Sequence, residues 1–148
     1  MINKNILTIF FQITSLFGTP FFYVPMTAYF LKINPKLGIK LILILVINEF
    51  VCGAIKYIYP KDRPVPMPNK TLIQKYFAGS FPSVHTARIT AFSVAIVLFT
   101  MNKIFILIGL LAIAGVGYSR IYLKKHYLID VIAGFLIGAI ISFAALFL

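Results

Sequence analysis

Apolar residues in this chain fall into long runs, separated by short stretches of Lys, Asn, Gly and Pro. A helix crosses the hydrocarbon core of a bilayer with about 20 largely apolar residues. Residues 5–31 carry no formal charge and predict one span, kinked near Pro20 and Pro25. Two shorter pieces broken at Gly18-Thr19-Pro20 are the alternative, each short for a full crossing. The run is too long for a secretory signal and no small-x-small cleavage site follows it, so a retained segment is expected. Residues 37–59 predict the second span, with Glu49 inside it and Lys56 near its end. Five of the eight prolines fall within 60–82, which predicts a loop. Its stretch 72–77 reads as an interfacial segment resting Tyr76 and Phe77 at headgroup level. Residues 83–102, 104–121 and 127–148 predict the third to fifth spans, with Lys103 at the tight turn between the third and fourth. The pattern describes an all-α, polytopic membrane helix bundle of about five transmembrane spans.

Composition agrees with a bilayer protein. Hydrophobic residues make up 61% and charged residues 11%, against roughly 45–50% and 25% in soluble domains. Fourteen Lys and Arg face three acids, a net charge of +11. A nucleic-acid partner is excluded, because most of these cations lie between apolar runs, where a membrane protein keeps its loops. The single cysteine, Cys52, excludes an intramolecular disulfide and a Cys-based metal site.

Five alternating spans place 56–63, 83–85 and 120–130 on one membrane face. Both histidines, His85 and His126, gather there, with Asp62 and Asp130 and the cations Lys56, Arg63 and Arg120. Many cations and few acids describe an anion site, and guanidinium geometry suits phosphate oxygens. Ser83 is a natural N-cap for the third span, whose first-turn N–H groups favour phosphate as well. His126 and Asp130, spaced i, i+4, are expected on one face at the start of the fifth span, the carboxylate holding the imidazole in one tautomer by a hydrogen bond. His126 then suits a nucleophile or general base at phosphorus, and His85 a proton donor to a leaving oxygen.

Lys56-x6-Arg63-Pro64, Pro82-Ser83-x-His85 and Ser119-Arg120-x5-His126-x3-Asp130 together resemble the three-part signature of the type 2 phosphatidic acid phosphatase and haloperoxidase superfamily, in its membrane lipid phosphatase branch. Ten specified positions match in order; capping or snorkelling residues placed independently have no reason to do so. The resemblance implies a single integral membrane lipid phosphatase domain over 1–148, working without a metal or cofactor through a phosphohistidine intermediate. It implies His126 as nucleophile, Asp130 as its orienting group and His85 as acid. Lys56, Arg63, Ser83, the Val84 N–H and Arg120 would bind phosphate oxygens. Val84 stands where relatives more often have a small residue. Lys124 and Lys125 replace a small or apolar pair, and the expected five spans are one fewer than in common members.

Outside the motifs, Glu49 is expected to pair with Lys56 or Arg88 as support for the site, since intramembrane ions need partners. Gly134-x3-Gly138 suits close packing within the bundle or a homodimer seam. The implied substrates are membrane lipid phosphates: a polyprenyl (undecaprenyl or dolichyl) pyrophosphate, favoured by the cationic site, or phosphatidic acid or phosphatidylglycerol phosphate. A non-enzymatic lipid-phosphate carrier is the alternative from another class. Counting loop cations literally would put the site in the cytoplasm, whereas the resemblance implies the outer face of the cell membrane, and the outer face is the expectation adopted.

Overall fold

Helix ends fall where caps and prolines interrupt the apolar runs. A computed structural model describes residues 4–68 and 70–147, and the regular structure among them is helical throughout: α1 (Lys4–Leu16), α2 (Pro20–Ile33), α3 (Pro35–Ile58), α4 (Leu72–Ala78), α5 (Val84–Thr100), α6 (Lys103–Tyr122), α7 (Leu128–Ala144) and a 3₁₀ turn, Ala145–Phe147. The last predicted span ran on to Leu148, which lies outside the described residues. Asn34 caps α3 by accepting from the Leu37 N–H at 3.2 Å. Asn102 does the same for α6 from Ile104 at 2.9 Å. Thr71 and Gln74 close a reciprocal capping box on α4.

The single kinked helix expected over 5–31 is two helices. They meet at an angle of 41°, because Thr19 Oγ1 turns back to the Leu16 carbonyl at 2.7 Å and Pro20 opens α2 without an N–H to donate. Gly18 sits at the break, pressed on α5: a Cβ there would lie 2.7 Å from the Cβ of His85.

By length and composition α3 and α6 can each cross a membrane, and α1 with α2 can if the bent pair is one span; α5 and α7 are apolar but shorter, 17 residues each. Such helices make this a membrane protein. Large apolar side chains such as Ile104, Leu107 and Leu111 of α6 point outward, as a lipid-facing surface requires.

Helix α5 is the centre of the bundle, packed on α7, α6 and α3, while α2 lies on α3 and α1 on α6. Its contact with α7 is backbone on backbone. A Cβ on Gly134 would stand 2.4 Å from the Ser83 carbonyl oxygen, and one on Gly138 2.3 Å from that of Ala87. The two glycines therefore serve close packing within the bundle, the first of the two uses expected for them. Below them Tyr23, Leu41, Ile44, Phe92 and Ile141 form the apolar core.

Gly138→Val should separate α5 from α7, because a backbone oxygen cannot move aside, and should destabilise by roughly 3 kcal/mol or more. Gly53→Ala, whose new methyl would meet only Tyr76 at 3.6 Å, should leave stability unchanged or raise it. Thermal unfolding of the two purified variants in detergent checks the contrast, and equal midpoints would contradict it.

Candidate active site

Three distant segments meet at one end of the bundle. The first is the close of α3 and the loop behind it. Lys56, 3% exposed, donates to the Gly79 carbonyl, and Arg63 Nε donates to the Ala78 carbonyl at 3.2 Å. Both cations thus hold the chain that leaves α4. The second segment is the start of α5. Ser83 caps it, accepting from the Thr86 N–H at 3.4 Å, and its own N–H donates to the Asp130 carbonyl at 2.8 Å. His85 follows in the first turn. Val84 turns its methyls into an apolar cluster with Cys52 and Ala87, while its N–H stays in the unpaired first turn of the helix.

The third segment is the connection from α6 to α7. Lys124 adopts a left-handed conformation (φ 53°), and the Arg120 carbonyl accepts from the N–H groups of Lys125 and His126 at 3.0 and 3.2 Å. This turn folds His126 back over the end of α6. Lys124 itself is exposed.

The expected His126–Asp130 helix pair takes a different form. His126 precedes α7, whose first residue is Leu128, so the i, i+4 spacing is not a shared helical face. Asp130 is fully buried, with Oδ2 accepting from the Tyr127 N–H at 2.8 Å and Oδ1 from Lys61 Nζ at 2.7 Å. With both oxygens engaged, His126 Nδ1 faces the carboxylate at 3.7 Å, too far for a hydrogen bond.

Lys61 and Ser15 belong to this site and were not identified from the sequence. Lys61 looked like one loop cation among several, although it stands two residues before Arg63. Ser15 Oγ accepts from Arg120 at 2.6 Å, and the nearby Gly18-Thr19-Pro20 break was the available signal. Glu49 resolves between its two expected partners: it pairs with Arg88 and also accepts from the Tyr76 hydroxyl at 2.8 Å. Burial and that carboxylate raise the Tyr76 hydroxyl above the usual phenol range, so it remains the donor. Arg88 also donates to the Gly18 carbonyl at 3.3 Å, tying the helix break to α5. Asp62 is exposed and takes no part in these contacts.

The site has a surplus of positive charge. Arg120 is 7% exposed and His126 2%, and Arg120 Nε and His126 Nδ1 have no hydrogen-bond partner. Burial, reinforced by the charges of Arg63, Arg120 and Lys56, lowers His126 to about 4 against the opposing pull of Asp130. The imidazole is therefore neutral at pH 7, with a lone pair available. Burial likewise pulls Arg63 below the ordinary guanidinium value, while Asp130 acts the other way. An anion with several oxygens would meet Arg63, Arg120 and the start of α5 in this setting. Among the described residues, no three His, Cys, Asp or Glu side chains cluster as metal ligands would.

The chain is similar to known proteins along most of its length. Residues 37–147 fit the PAP2 superfamily. The crystal structure of Aquifex aeolicus LpxE superposes with a TM-score of 0.81 at 25% identity, covering 99% of this chain and 89% of that one. The undecaprenyl-diphosphatase of Sulfolobus acidocaldarius is 34% identical over 133 residues, which is 87% of this chain and 64% of that protein. Human sphingosine-1-phosphate phosphatase 2 is 31% identical over 144 residues, 88% of this chain and 35% of that protein. The chain thus spans a little under two thirds and about one third of these two curated relatives. With the family match covering α3 to α7 and all three motif segments gathered at one end of the bundle, the chain belongs to the PAP2 superfamily.

Proposed function

We propose that this protein is a membrane phosphohydrolase that cleaves a polyprenyl pyrophosphate through a phosphohistidine intermediate. The observation that carries the reading is the charge balance of the site. Lys56 and Arg120 are buried beside Arg63, while the one buried acid among the described residues, Asp130, is engaged by Lys61. Buried charge without a counter-ion is costly, and a phosphate group supplies the missing negative charge. A diphosphate supplies more of it than a monoester. The undecaprenyl-diphosphatase relative supports the diphosphate, whereas the sphingosine-1-phosphate phosphatase relative makes a monoester the second reading.

In the proposed reaction the free nitrogen of His126 attacks phosphorus, and the bond from phosphorus to the leaving oxygen breaks. His85 gives that oxygen its proton. Arg63, Arg120, Lys56, the Ser83 hydroxyl and the Val84 N–H hold the non-bridging oxygens as negative charge develops, and Asp130 stabilises the positive imidazole. Water, losing a proton to His85, then attacks phosphorus and releases His126. The described helices form one catalytic unit with five crossings: α1 with α2, then α3, α5, α6 and α7. The site lies at the outer face.

Purified protein should release phosphate from undecaprenyl pyrophosphate faster than from phosphatidic acid or sphingosine-1-phosphate, in the presence of chelator and with inhibition by vanadate. His126→Ala should lower the rate by roughly 10³-fold or more. No release from any of the three lipids by folded protein would refute the activity, and faster monoester cleavage would refute the substrate.

The pH profile gives a separate check. A nucleophile lowered to about 4 is protonated only below that value, so kcat/KM should hold on acidification through pH 6 and fall near pH 4. An acid limb near 6.5 would contradict the assignment of His126.

Sidedness is read by placing a thiol at Lys70, which is exposed on the loop of the active face. In a Cys52→Ala background, Lys70→Cys should react with an impermeant maleimide on intact cells. Reaction only after permeabilisation would place the site in the cytoplasm.

A further inference from the structure

The bend between α1 and α2 has a packing consequence. Because α1 lies on α6 and α2 on α3, the 41° break spreads the pair across α5 and opens a cleft between α2 and α6. The cleft has a volume of about 420 Å³, within the usual range for ligand pockets of roughly 300–1,000 Å³. Its α2 wall is Phe22, Met26 and Phe30.

The cleft runs along two helices that also carry residues of the proposed site. On α5 its floor is Ile89, Phe92 and Ile96, which follow His85 at i+4, i+7 and i+11 and so share its face. On α6 its wall includes Ala112, Gly109 and Phe105, which precede Arg120 by 8, 11 and 15 positions, again on the face of that side chain. At the upper end Phe17 lines the cleft beside Gly18, which rests on His85. From there the floor descends about 10 Å along α5, at about 1.5 Å per residue. A phosphate held near His85 would stand about 6 Å, one helical turn, from the first apolar residue of this lining, Ile89.

We propose that this cleft seats the apolar tail of the substrate, and that its occupant is a single isoprenoid chain; the proposal rests on the phosphohydrolase reading above. One chain fits better than two. The other groove beside α2, against α3, has the Glu49–Arg88 pair at its polar end, so a two-tailed lipid would have to straddle α2. The small side chain of Ala112 among the phenylalanines leaves room for methyl branches.

The test uses farnesyl pyrophosphate carrying a diazirine at the far end of its tail, photolysed with the full-length protein in detergent. Adducts should map to Met26, Ile108 or Leu111 and should be suppressed by excess unlabelled farnesyl pyrophosphate. Adducts on Val24 or Ile42 of the other groove, or labelling that excess ligand does not suppress, would overturn the proposal. In kinetics, Ala112→Phe should raise KM for farnesyl pyrophosphate about tenfold and leave isopentenyl pyrophosphate unaffected, whereas Ala28→Phe in the other groove should change neither. Equal effects on the two diphosphates, or none, would also overturn it. If neither diphosphate is hydrolysed by the unsubstituted protein, the catalytic reading fails, and the cross-linking still decides the tail seat.

Discussion

The close contact of α5 with α7 is the constraint on which the rest of the site depends. Glycines at 134 and 138 let the two backbones approach so far that no side chain fits between them. That approach carries the Ser83 N–H to within 2.8 Å of the Asp130 carbonyl, joining the second motif segment to the third by a main-chain hydrogen bond. Once they are joined, Asp130 holds the loop of the first segment through Lys61. The order is physical: backbone proximity comes first, and charge pairing refines it.

Burying several cations at one end of a small bundle is expensive, and the protein meets the cost with oxygens that carry no full charge. Lys56 and Arg63 donate to the carbonyls of Gly79 and Ala78, and Arg120 to the Ser15 hydroxyl. Neutral acceptors orient the cations and leave their charge uncancelled, so an anion can complete the balance. The scarcity of acids follows from the same requirement. The low affinity of His126 for protons belongs to the same field, since burial and the surrounding cations both favour the neutral ring.

The break between α1 and α2 links this polar end to the apolar interior. Ser15 orients Arg120, Gly18 gives His85 the space it occupies, and the Gly18 carbonyl receives Arg88. A continuous helix could not present a bare carbonyl and a missing side chain at the same level, because its carbonyls are bonded along the axis. The same break sends α1 and α2 to different neighbours and so opens the cleft above α5.

Much of this was legible in one dimension. Run lengths and prolines marked the helices to within a few residues, because desolvating backbone in lipid leaves helix as the economical solution. The expected alternation of spans put Lys56, Arg63, Ser83, His85, Arg120, His126 and Asp130 on one face, and the structure gathers their segments at one end of the bundle. Local spacing was less informative where the backbone leaves the helix. The spacing of His126 and Asp130 suggested a helical pair, yet the left-handed turn at Lys124 places His126 before α7 and leaves the carboxylate to Tyr127 and Lys61. Whether Glu49 met Lys56 or Arg88, whether Gly134 and Gly138 faced α5 or a second copy, and how Ser15 reached Arg120 were decided by tertiary structure alone. Those contacts join residues as many as 105 positions apart, and their geometry depends on how whole helices pack, which no local pattern of residues records.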